Sequence, residues 1–251
     1  MESVVFSRSA LKKAARARMS EGSFNAYFIF PLYGLLTLLF SAFREGFLRA
    51  LSYDAALFFD FIFALISFFI FTPMAVSIIR YFILFSRGEN PPLSVAFNPF
   101  KKGLYGRFLG VVFWESLWLT FWSIGIVIGY AIILGVSAEI DSVLLGLLVP
   151  LMIISGAFLS LYAVLAYFTA FYLIADKNTV KVTKSLSMSR LIMKGHKWEL
   201  FVLLLSFLPW LLLALITLGL ALIYILPYMQ ITLAKYYDYV MQKTLAEQGI
   251  N

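Results

Sequence analysis

The chain has no cysteine and one histidine in 251 residues. Disulfides, thiolate metal sites and multi-histidine metal centres are therefore excluded. Charge is scarce too. Only 13% of residues are Asp, Glu, Lys or Arg, about half the share usual in a soluble domain. No GxxxxGK[ST], HExxH, GxSxG or paired-carboxylate pattern occurs. The sequence makes no positive case for an enzyme and calls for no cofactor. No nucleic-acid motif occurs either. The net charge of +7 points to anionic lipid headgroups before nucleic acid.

Apolar side chains are what the chain has in excess, at 62%. Runs of about 20 residues or more, the length that crosses a bilayer, recur along it. They lack the period-two alternation of barrel strands. Only helices and closed barrels satisfy every backbone group in lipid. The sequence thus predicts an all-α polytopic membrane protein. Six transmembrane helices are expected, over 24–43, 55–85, 108–136, 143–175, 200–217 and 220–239. The expected organisation is a basic amphipathic arm over 1–23, a six-helix membrane domain over 24–240 and a short tail over 241–251. The first apolar run follows the polar arm and reads as a signal-anchor.

Cations orient these runs. Of the 20 Lys and Arg, only Arg44 and Arg49 fall in the alternate loops. The positive-inside rule then puts both termini in the cytoplasm of a multi-pass cell-membrane protein. The arm and the stretch Asp176–Lys197 are weakly amphipathic and are expected to lie on the inner surface. Their candidate lipid contacts are Lys12, Lys13 and Arg16, and Lys181, Lys184, Arg190, Lys194 and Lys197. A protein partner or a second copy of the chain is the other class of contact open to such a surface.

Glu115, Arg80 and Asp60 are ionisable residues within apolar runs, where charge is expensive. Glu115 lies about two turns inside the third run, among Trp114, Trp118 and Trp122. Arg80 lies at comparable depth in the second, so the two are expected to approach each other. They would form either a structural ion pair or a site handling a proton or solute. Asp60 is near the outer end of its run, as an interfacial acid or a proton- or cation-linked group. His196, between Gly195 and Lys197, is expected to be solvated.

Small-residue pairs, Gly125 with Gly129 and Gly156 with Ser160, permit close helix approach, within the monomer ahead of a dimer. Pro73, Pro209 and Pro227 are expected to kink or interrupt helices. Gly22, Gly103 and Gly195 each follow a basic stretch and precede a hairpin. This order fits either a threefold repeat or any six-span chain with basic inner loops.

The block from Ser189 to Tyr228 is the most specific. It contains Ser189-Arg190, Met193, Gly195, Lys197, Leu200-Phe201, Leu205-Ser206-Phe207, Trp210, Thr217, Gly219 and Pro227-Tyr228, with Tyr237 beyond. Upstream stand Arg80-Tyr81-Phe82, Arg87-Gly88-Glu89 with Pro91, Phe97, Phe100 and the run Tyr172 to Asp176. The arm adds Ser7-Arg8, Leu11-Lys12 and Ala15. On these residues the chain resembles, over nearly its whole length, a bacterial membrane family known as domain of unknown function nine-seven-five. Two positions depart from the family pattern. Val149-Pro150-Leu151 lacks the glycine after the proline, and Lys184-Ser185 stands where Glu-Ala is usual. The resemblance implies a multi-span membrane protein and carries over no activity and no catalytic residue.

The leading expectation is a non-enzymatic inner-membrane protein, an envelope or export accessory acting through lipid or protein contacts. The alternative is a small-solute or ion transporter or channel using Glu115 and Arg80.

Overall fold

A backbone in an apolar chain must bond its own polar groups, and helices do so within one segment. The computed structural model describes residues 7–21, 24–100, 105–136, 142–177 and 180–247. Among the described residues the chain is all-helical, without strands. The arm forms α1 (Arg8–Glu21). Three long helices cover the first three apolar runs: α2 (Asn25–Arg49), α3 (Tyr53–Ser86) and, after the short α4 (Ser94–Phe97), α5 (Tyr105–Val136). The fourth run is α6 (Ser142–Asp176), followed by α7 (Val182–Ile192). The fifth splits into α8 (Lys197–Leu205) and α9 (Leu208–Ile216), and α10 (Leu222–Glu247) closes the chain. Among the described residues, four helical segments are long and apolar enough to cross a membrane: Asn25–Arg49, Tyr53–Ser86, Pro150–Asp176 and Lys197–Ile216.

The expected proline effects divide. Pro73 and Pro227 sit inside unbroken helices. Pro209 follows a real break, because its missing N–H cannot close a turn onto Leu205. Close approach of α5 and α6 is visible at Gly129, where a Cβ would collide with the Met152 thioether end. A Cβ on Gly125 would meet open space. Gly129 thus packs against α6 of the same chain. Gly22 and Gly103 lie outside the described residues. Gly88, Gly195 and Gly219, all carried by the family resemblance, adopt positive φ of 102°, 86° and 89°, where glycine alone is unstrained.

Burial divides the long helices along their length. In α3 the buried side chains run from Pro73 to Ser86, apart from Phe63. In α10 they run from Ile225 to Val240, and in α6 they concentrate between Ala163 and Ala175. These three stretches pack on one another. Tyr81, Phe82, Tyr172, Leu173, Tyr228 and Tyr237 form the centre. The other halves expose large apolar side chains, among them Leu38, Phe43, Phe58, Phe61, Phe121, Ile154 and Phe158. At the turn between α9 and α10, Leu215, Ile216 and Leu218 are 76%, 78% and 95% exposed. No aqueous surface favours this much bare leucine and isoleucine.

The two basic helices are not bare amphipathic surfaces. Each seats its buried face on protein: Ala15 and Met19 of α1, and Ser185, Leu186, Ser189 and Ile192 of α7. α1 packs on α10 and α7 on α6. Helix α7 doubles back along α6. Ser189 Oγ donates to the Ala166 carbonyl (2.9 Å) and accepts from Thr169 Oγ1 (2.8 Å), both buried.

Candidate functional site

Lys197 opens α8 after the left-handed turn at Gly195. Its Nζ donates to Tyr162 Oη of α6 (2.6 Å) and lies 3.8 Å from that ring's centroid. The same turn leaves Lys194 exposed, and Arg190 is exposed one turn earlier on α7. These three cations border a cavity of about 580 Å³. Its apolar wall is Leu159, Ala163 and Ala166 of α6, with Tyr167 beside them. Among the described residues no carboxylate lines it and no ion pair involves its three cations. The small side chains of Ala163 and Ala166 open the groove, and the turn of α7 over α6 supplies its charged rim.

Other predicted lipid contacts are placed differently. Lys13, Lys181 and Lys184 are exposed. Lys12 turns inward to the α8–α9 break. There the Trp210 N–H donates to Phe207 O (3.0 Å), which leaves the Ser206 carbonyl without its helical donor. Lys12 Nζ donates to that carbonyl (2.8 Å) and lies 4.2 Å from the Phe207 ring centroid. Burial, then the neighbouring Arg16 and Arg8 charges, push the Lys12 ammonium below its usual pKa. Arg16 Nε donates to Tyr228 Oη (3.3 Å), with its guanidinium near the Trp210 and Tyr228 rings.

Each intramembrane candidate has its own surroundings. Arg80 Nη1 donates to the Ala175 carbonyl (3.4 Å). Arg80 borders a small cavity of about 100 Å³ with Ser77, Ser94, Asn98 and Phe108, and Glu115 is not among its lining residues. Among the described residues no ion pair joins Arg80 to Glu115. Glu115 is half-buried beside a half-exposed Trp114. The Trp118 and Trp122 side chains lie outside the described residues. Asp60 accepts from Arg44 Nε (2.8 Å) and also from its Nη2, closing the α2–α3 hairpin. Among the described residues no three His, Asp or Glu side chains gather to hold a metal ion.

Two arrangements escaped the sequence reading. Arg87, just past α3, donates to Asp176 Oδ1 of α6 (2.6 Å) and Asp238 Oδ1 of α10 (2.7 Å). Hydrogen bonds to Asp176, then Asp238, raise its already high pKa further. Tyr237 Oη donates to Asp176 (3.2 Å), and Arg18 of α1 donates to the Phe85 and Glu89 carbonyls and to Asn90 Oδ1 (2.7, 2.6 and 2.8 Å). A sequence signal existed: Arg87 and Asp176 each end a long apolar run. The second is His196, which is 6% exposed rather than solvated. Its Nδ1 lies 2.7 Å from Glu199 Oε2, and its carbonyl accepts from Tyr236 Oη (2.8 Å). The i, i+3 spacing of His196 and Glu199 would have revealed this pair.

Described residues that are all helical, with four membrane-length apolar segments, a three-helix clasp and a basic groove, define a class without naming a reaction. The family described as Protein of unknown function (DUF975) matches residues 6–244, and the chain belongs to that family. No curated protein and no solved structure matches it significantly.

Proposed function

We propose that the chain is a six-span cell-membrane protein with both termini and its basic helices in the cytoplasm. We propose further that it acts without catalysis, as an envelope or export accessory contacting lipid or protein through that basic face. The observation behind this reading is the lengthwise division of the helices. Exposed apolar halves are suited to lipid, and they adjoin a packed bundle whose surface carries exposed Lys13, Lys181, Lys184, Arg190 and Lys194. In this reading α5 and the expected run over 220–239, packed from Ile225 onward, join the four membrane-length segments to make six.

Transport through Glu115 and Arg80 gains no support from the geometry, because the Arg80 cavity is not lined by Glu115. Proteoliposomes test the choice. The accessory reading predicts the same proton and potassium flux from wild type and Glu115→Gln as from empty vesicles. A flux above that baseline which Glu115→Gln abolishes would overturn it in favour of transport.

A further inference from the structure

We propose that the groove between α6, α7 and the start of α8 holds one anionic glycerophospholipid. Its phosphate lies among Arg190, Lys194 and Lys197, and one acyl chain lies along Leu159 and Ala163. This assignment rests on the membrane reading above and names the ligand of its basic face.

Charge selects the groove from its neighbours. The cavity beside Lys12 and Arg8 contains Glu199, and the one beside Arg87 contains Asp176 and Asp238. In the second, Asp176 and Asp238 already pair Arg87; in the first, Glu199, bonded to His196, puts a carboxylate in the lining. The α6–α7 groove presents three cations and no carboxylate, so a ligand phosphate meets no like charge there. Its volume of about 580 Å³ lies within the roughly 300–1,000 Å³ of small-molecule sites.

Shape and position select a lipid over a free anion. One wall is apolar, which gives an inorganic or glycerol-linked phosphate nothing to bury. Along α6 the groove spans the change from exposed Ile154 and Phe158 to buried Ala166 and Ala170. An acyl chain can follow the exposed stretch into the hydrocarbon while its headgroup stays at the rim. Tyr162, half-exposed and bonded to Lys197, places an amphipathic ring where such rings collect at membrane interfaces. Its bond also holds the Lys197 ammonium in place before any lipid arrives.

Native mass spectrometry of the full chain in detergent, titrated with phosphatidylglycerol or phosphatidylcholine, tests the assignment. Wild type is expected to take one phosphatidylglycerol tightly, ahead of phosphatidylcholine. Lys194→Gln, at an exposed position, should weaken that lipid about fivefold, and the Arg190→Gln, Lys194→Gln, Lys197→Gln triple variant about a hundredfold. Phosphatidylcholine binding should not change. Lys243→Gln, on α10 and outside the groove, should leave both lipids unaffected. Free glycerophosphate should not displace the lipid. The assignment is overturned if Lys194→Gln leaves phosphatidylglycerol affinity unchanged, if Lys243→Gln lowers it as much, or if glycerophosphate competes equally. Each of those results leaves the membrane topology standing, since that is read separately by cysteine labelling.

Discussion

Arg87 joins three helices through one guanidinium, and its two acceptors lie 89 and 151 residues away in sequence. Removing it would leave Asp176 and Asp238 without the guanidinium that bridges them. Their side chains are 15% and 26% exposed, between the surface case, worth about 1 kcal/mol or less, and the buried case, worth about 3–5 kcal/mol. Arg87→Gln is therefore expected to cost about 2 kcal/mol, seen as a clear drop in melting temperature in detergent. Arg44→Gln, at the exposed pair with Asp60, should leave the melt unchanged. Equal effects of the two would contradict the clasp. No periodicity in the sequence announces such distant partners. The Arg44–Asp60 pair, 16 residues apart across one turn, was within reach of sequence reasoning.

At the scale of the element, α1 is held by a defect in its neighbour. Pro209 interrupts the α8–α9 run, Ser206 loses its helical donor, and Lys12 supplies one. Lys12→Ala removes a charged hydrogen bond and a cation–ring contact together. Loss of roughly 1.5 kcal/mol of docking should make trypsin cleave after Arg16 and Arg18 about tenfold faster than in wild type. An unchanged digestion rate would mean that Ala15 and Met19 alone hold the arm. The break itself was legible, because a missing N–H is a property of one residue. That a lysine from the arm would answer it was not, since the arm's weak amphipathicity suits a lipid surface as well as a protein groove. Helix α7 repeats this ambiguity: its apolar side is used on α6, and its exposed cations face outward.

For the whole molecule, long apolar runs announced the helices, and the family assignment agrees with the motif residues that build the buried centre. Lengthwise division of those helices was less legible. The apolar runs of α3 and α6 continue unbroken through both their exposed and their buried halves, so hydropathy cannot tell lipid-facing leucine from core leucine. Burial separates them, because among the described residues the buried tyrosines lie on α3, α6 and α10. The central claim is that this packed, basic end lies inside the cell and the turn at Leu218 outside. The chain has no cysteine of its own, so single cysteines report without background. Ser52→Cys and Leu218→Cys should react with a membrane-impermeant maleimide on intact cells. Ser20→Cys and Ser187→Cys should react only after permeabilisation. Labelling of Ser187→Cys on intact cells, or of Leu218→Cys only after permeabilisation, would contradict the account.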